Sequence, residues 1–152
     1  MLSVLMSYPP RAEEARILTE YSLPGANARH AAEIATVPHA ALAAAQAELA
    51  AVHVSDALTG YILDIVAATR QSASISLGLS SRAALALARC ARIEAALRGG
   101  DFVIPDDVKR VASWVIPHRI ALTPDAVLEG VSASAELARI LDAVAVPREA
   151  SH

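Results

Sequence analysis

Hydrophobic residues repeat every three or four positions through most of the chain, and turn-forming residues separate the repeats. The clearest repeat follows Ser55, a good N-cap, and continues to about Gln71. Its inward positions are Leu58, Ile62, Ile65, Val66 and Thr69. This spacing places the apolar side chains on one face, so each repeat predicts an amphipathic helix. Helices are predicted over about residues 10–21, 39–52, 55–71, 81–98, 105–116, 124–129 and 134–144.

Three shorter stretches lack helical spacing. Phe102–Ile104 is expected to be extended and buried, and Ser72–Gly78 is expected to be a loop of small residues. Leu2–Met6 has the composition of a strand but no second strand nearby, so either it packs irregularly or its partner strands lie elsewhere. The prediction is an all-α fold, a small helical bundle with extra N-terminal helices and a short orphan strand at the start.

One predicted helix has a marked start and a marked end. Ser80 or Ser81 can cap its N-terminus, and Gly99 can close its C-terminus in the left-handed conformation. Its inward face is predicted at every third or fourth position in the second half of the helix. That face comprises Ala86, Cys90, Ile93 and Leu97.

Arg82 is a cation in the first turn of this helix, where the helix dipole disfavours positive charge by roughly 0.3–1 kcal/mol. An anion would reverse that effect. Gly78, the serine hydroxyls, free backbone N–H groups and a guanidinium are together typical of a phosphate-binding corner. The alternative is that Arg82 pairs with a carboxylate or points into water.

Composition limits the classes of function. Hydrophobic residues make up 55% of the 152 residues and charged residues 19%, which excludes a disordered chain. A net charge of −3 offers no cationic surface for nucleic acid. One cysteine cannot form an internal disulfide, and no apolar run reaches the ~18 residues of a membrane span. We therefore expect a cytoplasmic protein without a membrane or nucleic-acid partner.

Several catalytic motifs are missing from the sequence. Lys109 is the one lysine, and the residue directly before it is Val108 and not the glycine that a P-loop requires. The chain therefore has no P-loop. The histidines lack metal-ligand spacing, and no metal site is expected. Asp106 and Asp107 point about 100° apart on a helix and suit its first turn, which favours a structural role. His118 beside Arg119 is a candidate site pair, but a histidine that is either hydrogen-bonded or exposed is the preferred interpretation.

Six short motifs follow one another along most of the chain. They are Tyr61-Ile62, Ala68-Thr69-Arg70, Gly78-Leu-Ser-Ser-Arg82-Ala83, Gly99-Gly-Asp-Phe-Val-Ile-Pro-Asp-Asp-Val108, His118-Arg119-Ile120 and Val144-Ala-Val-Pro147. In this order and spacing, the series resembles the C-terminal lid of MoxR-type AAA+ ATPases. Tyr8-Pro9, with Glu13-Glu14 and Ile17-Leu18, resembles the join between the last core strand and the lid.

The resemblance implies roles for individual residues. Arg82 matches the sensor 2 arginine, which reaches the terminal phosphate of ATP, with Ser81 and Gly78 beside it. Arg70 and Arg119 match recurrent residues expected to serve packing or lid–core contacts. ATP and Mg²⁺ are implied for the full-length parent, and no cofactor is expected to bind this chain tightly by itself.

The resemblance also implies a division of the chain. It predicts a remnant of the last core strand at 1–8, linking helices at 9–54, the helical lid at 55–147 and a tail at 148–152. The sequence departs from the family pattern at Leu79, Ser81 and Gly100. Arg82, the match to the sensor 2 arginine, is still present. The nucleotide-binding lysine, the acidic pair and the arginine finger of such an ATPase have no counterpart here, so this chain alone should not hydrolyse ATP.

The implied partners are the chain's own AAA+ core, neighbouring subunits of a hexameric ring and a protein with a von Willebrand A domain. The implied role is chaperone-like remodelling or maturation of client proteins. The competing hypothesis is an autonomous helical interaction module that binds a partner helix through an Ala/Leu-rich face. The two differ at Arg82, because a scaffold would tolerate its loss.

Overall fold

A computed structural model describes residues 2–22 and 35–147. The predicted tail at 148–152 lies outside these residues. The fold is all-α, as predicted, with a small two-stranded sheet. The helices are α1 (Arg11–Tyr21), α2 (His39–Ala51), α3 (Asp56–Gln71), α4 (Ser81–Leu97), α5 (Pro105–Val115), α6 (Pro124–Leu128) and α7 (Ala133–Ala143), and the strands are β1 (Ile75–Leu77) and β2 (Ala121–Leu122).

The chain forms two compact units. One is Val4–Ala45, which contains α1 and the start of α2. The helix α1 buries none of its residues. The other unit is Met1–Ser3 with Gln46–His152, and it holds the hydrophobic core.

The core is made by α3, α4, α5 and α7. The predicted inward face of α3 is confirmed, and Tyr61 joins it. The inward face of α5 contains four apolar residues at helical spacing, all of them buried. The largest core side chains include Tyr61, Leu58, Ile65, Leu79, Leu87, Ile116, Val108 and Val115.

The predicted inward face of α4 is wrong. Ile93 is 43% exposed and Leu97 is 80% exposed, whereas Cys90 is only partly buried. The buried positions lie one residue further along, which is a rotation of about 100° around the helix. They are Ala83, Leu87, Ala91 and Ala95.

The segments between helices contain more pairing than the sequence indicated. Ser72–Gly78, predicted as a loop, contains β1, which pairs antiparallel with β2. Phe102 forms a parallel bridge with His53 and is 46% exposed, so the prediction that Phe102–Ile104 is wholly buried is wrong. Val103 beside it is buried.

The predicted orphan strand falls in residues 2–10, which hold no helix and no strand. Leu5, Met6 and Tyr8 are almost fully exposed. Within the unit that contains Ser3, its N–H donates a 2.9 Å hydrogen bond to the carbonyl of Trp114. In the described part of the chain, no helix is long and apolar enough to cross a bilayer.

Candidate functional site

The Gly78–Arg82 corner connects β1 to the N-terminus of α4. Ser80 is the N-cap, in extended conformation, and its hydroxyl accepts a 3.3 Å hydrogen bond from the N–H of Ala83. The structure therefore selects Ser80 over Ser81 as the cap. Ser81 and Arg82 are the first two residues of the helix, where N–H groups have no intrahelical acceptor.

Thr69 and Arg70, at the end of α3, hold this corner through Leu79. The hydroxyl of Thr69 accepts a 3.1 Å hydrogen bond from the N–H of Leu79 and donates at 2.7 Å to the carbonyl of Val66. Arg70 Nε donates at 2.8 Å to the carbonyl of Leu79. Because Leu79 is 1% exposed, the residue before the cap is fixed by its side chain and by both of its backbone groups.

Gly78 is required by the close approach of two backbones. A Cβ at this position would lie 2.8 Å from the Cα of Arg70, a contact that real side chains essentially never make. The glycine thus lets the end of β1 lie directly against the end of α3. Its place in the corner is explained by packing.

Arg82 projects from the first turn of α4 and is exposed. Within residues 2–22 and 35–147, no hydrogen bond or ion pair reaches its guanidinium. The alternative that Arg82 pairs with a neighbouring carboxylate finds no support there. A cation at this position adds to the positive potential of the helix N-terminus, so the corner suits an anion.

Arg119 lies in a different segment, the 3-10 turn Pro117–Arg119 after α5. Its Nε donates at 3.2 Å to Nε2 of His118. Leu77, which precedes Gly78, pairs with Ala121, so the segment that follows Arg119 runs beside the start of the corner. The structure thus joins Arg70, Gly78, Ser81 and Arg82 in one place, whereas Arg119 lies in a separate segment, two residues before the Ala121 that pairs with Leu77.

A buried carboxylate fixes the other end of the segment that contains β1. Glu136 on α7 is 4% exposed, accepts a 2.5 Å hydrogen bond from Ser72 and receives two more from Arg139. The hydrogen bonds from Arg139 lower the pKa of Glu136 below its ordinary value, although burial acts in the opposite direction. Sequence reasoning missed this group; a Glu among the apolar positions of α7 was the available signal.

A second buried carboxylate links α4 to α5. Asp107 accepts hydrogen bonds from Nε and Nη2 of Arg98, both at 3.1 Å, and one from the N–H of Ile104 at 2.9 Å. The hydrogen bond to Asp107 raises the pKa of Arg98. The structural role predicted for Asp107 is confirmed. A Cβ at Gly100 would lie 2.7 Å from the Arg98 guanidinium, which would have to shift to make room for it.

Comparison with known proteins gives this arrangement a family. Residues 67–140 match the AAA lid domain, a stretch that runs from the end of α3 to α7 and includes the whole corner. The chain therefore contains a AAA lid domain.

The relatives specify the type of lid. The chain is 42% identical over 106 residues to the uncharacterized protein YeaC of Bacillus subtilis, covering 70% of this chain and 33% of that protein. It is 36% identical over 104 residues to the chaperone MoxR1 of Mycobacterium tuberculosis, covering 62% of this chain and 28% of that protein. It is 38% identical over 85 residues to the protein MoxR of Paracoccus denitrificans, covering 47% of this chain and 25% of that protein.

A solved structure has a similar fold. A putative ATPase from Cytophaga hutchinsonii superposes on 97% of this chain with a TM-score of 0.79 at 27% identity, and 47% of that protein is covered. The chain is thus similar to MoxR-type AAA+ proteins, and its residues 67–140 match the AAA lid domain. It spans a quarter to a third of the length of the curated relatives that it matches.

Proposed function

We propose that this chain closes over ATP bound by the AAA+ core of the full-length protein and that Arg82 is its sensor 2 arginine. The observation that carries the proposal is an exposed guanidinium at the N-terminus of α4, without a partner among the described residues. Such a group is costly at that place unless an anion lies against it. The terminal phosphate of ATP is an anion of suitable charge.

The residues of the corner fit this ligand. Ser80 satisfies the N–H of Ala83 and leaves the N–H groups of Ser81 and Arg82 available to an oxygen. Gly78 contributes the close backbone approach that places them there. ATP, bound with Mg²⁺ by the core, supplies the phosphoryl group, and Arg82 stabilises the negative charge on its oxygens.

The links around the corner explain how closure would be transmitted. Thr69 and Arg70 join the corner to α3, and Ser72 with Glu136 joins the same segment to α7. A force on Arg82 therefore acts on the packed helices as a unit. In a ring, such rigid movement of the lid would carry the nucleotide state to the neighbouring subunit.

The division of the chain follows from this proposal. Residues 1–8 are a remnant of the last core strand, 9–54 are linking helices, 55–147 are the lid and 148–152 are a tail. The exposed apolar side chains of residues 2–8 support the first assignment, because a core sheet would cover them. Arg70 and Arg119 are assigned to lid–core contacts, and in the structure Arg70 also holds Leu79.

The full-length protein is proposed to be an ATPase that assembles into a hexameric ring in the cytoplasm and remodels or matures client proteins. The relative named chaperone MoxR1 supports this role. A protein with a von Willebrand A domain is the proposed companion. The 152-residue chain, which lacks a P-loop, is expected to have no ATPase activity alone.

The test compares ATP hydrolysis by the full-length protein with that of Arg82→Ala. We expect a loss of about 10²- to 10³-fold, the scale for removing one charge-stabilising donor. Lys109→Ala is the matched control, because it removes a cation from the start of α5. Circular dichroism establishes that both variants stay folded. Turnover by Arg82→Ala equal to that of the parent would reject the sensor role.

A further inference from the structure

The helices α3 and α4 border an apolar groove of about 470 Å³ on the outside of the core. Leu63 on α3 and Leu85 on α4 both line it and are 56% and 59% exposed, so the groove presents large apolar side chains together at the surface. Val66, Ala84 and Ala88 contribute to its floor and walls. The groove is floored by the core residues Ile62 and Val66, and one end of it reaches the corner at Arg70 and Ser81.

The groove has the length of a short helix. Arg70 and Ser81 line one end, and Thr59 and Ala88 line the other, so α3 and α4 run antiparallel along it. The twelve residues from Thr59 to Arg70 extend over about 16 Å, which is three helical turns. A groove of this length between two helices fits an amphipathic helix that inserts side chains at i, i+3, i+4 and i+7.

Two arginines of α4, outside the lining of the groove, follow its last lining residue on that helix, Ala88. Arg89 follows Ala88 and is exposed, and Arg92 lies one turn beyond Ala88 on the same face. In the described part of the chain neither has an ion pair, and the Nε of Arg92 is buried without a hydrogen-bond partner. The carboxylate of α4, on Glu94, is already paired with Arg110 at 3.3 Å.

The acidic residues of α3 leave this charge unbalanced. Asp56 and Asp64 belong to α3 and, like Arg89 and Arg92, lie outside the lining of the groove; none of the four has an ion pair among the described residues. An apolar floor beside two uncompensated arginines is complementary to a surface with apolar and acidic residues. A basic or uncharged apolar helix would leave Arg89 and Arg92 against unfavourable or neutral neighbours.

We propose that the α3–α4 groove binds an amphipathic helix of a partner protein, whose apolar ridge lies between Leu63 and Leu85 and whose acidic flank faces Arg89 and Arg92. This inference goes beyond the proposed nucleotide function, because it requires neither ATP nor Arg82. It gives the lid a second surface, through which its movement could act on a client or companion protein.

The test uses two labelled helical peptides of about four turns, each with the same leucine ridge. One carries glutamates along the flank and the other carries lysines. Fluorescence anisotropy with the 152-residue chain measures both affinities. We expect the acidic peptide to bind about tenfold more tightly at low salt and to lose this advantage as salt is raised. Equal affinities would overturn the charge assignment.

Variants locate the binding on the molecule. Leu85→Gln should weaken binding of the acidic peptide about tenfold, whereas Leu97→Gln, on the same helix and 80% exposed, should not. Arg89→Glu should weaken it similarly, and Arg11→Glu on α1 makes the same charge change as a control. An unchanged affinity of the acidic peptide for both Leu85→Gln and Arg89→Glu would show that the peptide does not bind in the groove.

The same measurement on the full-length protein separates a partner from the protein's own core. If the full-length protein fails to bind the acidic peptide while the 152-residue chain binds it, the core occupies the groove and the partner assignment is wrong. The result is independent of the ATPase test. The test of Arg82→Ala measures ATP turnover, whereas the tests of Leu85→Gln and Arg89→Glu measure peptide affinity in the absence of nucleotide.

Discussion

At the scale of single residues, the site combines a group that sequence could identify with groups that it could not. Arg82 was recognisable because its charge opposes the dipole of a helix whose start is marked by serines. The role of Arg70 was not, because its acceptor, the carbonyl of Leu79, lies nine residues away across a turn. Thr69 was counted among core positions, and its two hydrogen bonds depend on the same turn.

Tyr61 is a core residue whose buried hydroxyl lacks a hydrogen-bond partner among the described residues. The residue is 2% exposed. Burial, with a smaller effect of the negative charge of Asp106, raises the pKa of the hydroxyl. A buried polar group without a partner costs about 1–3 kcal/mol.

Tyr61→Phe is therefore expected to raise the free energy of unfolding by about 1 kcal/mol, because it keeps the ring and removes the unpaired hydroxyl. Urea denaturation of the 152-residue chain measures the change. Tyr8→Phe, at a position 95% exposed, should leave the midpoint unchanged. A destabilised Tyr61→Phe variant would mean that the hydroxyl has a partner.

At the scale of elements, α4 shows how a helix boundary can be predicted while its orientation is not. The serine cap and Gly99, at φ +81°, define its ends as the sequence indicated. The inward face is less apparent, because alanines fill three of its four buried positions while Ile93 and Leu97 are exposed. Hydrophobicity favoured the larger side chains, but small ones allow α4 to lie close to its neighbours.

Substitutions on the two faces of α4 should differ accordingly. Ala91 is 0% exposed, so Ala91→Leu is expected to overpack the core and cost about 1–3 kcal/mol of unfolding free energy. Ile93→Ala, on the face that the sequence favoured, should cost less than about 1 kcal/mol. Urea denaturation measures both. The opposite order would mean that α4 packs in the orientation predicted from its hydrophobicity.

At the scale of the whole molecule, the order of the helices was predictable, and the links between them were not. N-cap residues, prolines and Gly130 mark where helices begin and end, so the order of the helices could be predicted from local signals. The pairing of Ile75 with Leu122 joins positions far apart in sequence through strands of three and two residues. Strands that short have no detectable periodicity, and their partners are set by the packing of the helices around them.

The links through Glu136 and Asp107 have the same character. Each carboxylate is buried, and each joins two elements of the core through an arginine or serine. Ser72 and Glu136 are 64 residues apart, so no local pattern could pair them. A buried carboxylate is tolerated only when it is fully hydrogen-bonded, and such a group makes the stability of the molecule depend on pH.

Glu136 gives that dependence a definite sign. Hydrogen bonds from Arg139 and Ser72 lower its pKa in the folded state below the ordinary value of 4.5. Its contribution to stability is therefore complete above that value and is lost as the pH falls through the lowered pKa. Glu136→Gln should be less stable than the parent at pH 7, and the difference should narrow as the pH falls below 4.5.

Thermal unfolding followed by circular dichroism between neutral and acid pH tests this prediction. Glu129→Gln is the matched control, since Glu129 is exposed at the end of α6, and the variant should follow the parent at each pH. A constant difference between parent and Glu136→Gln down to acid pH would mean that the carboxylate does not need its charge. The charge of Glu136 would then not contribute to holding Ser72 against α7, and the corner would be positioned by the hydrogen bonds of Thr69 and Arg70 to Leu79.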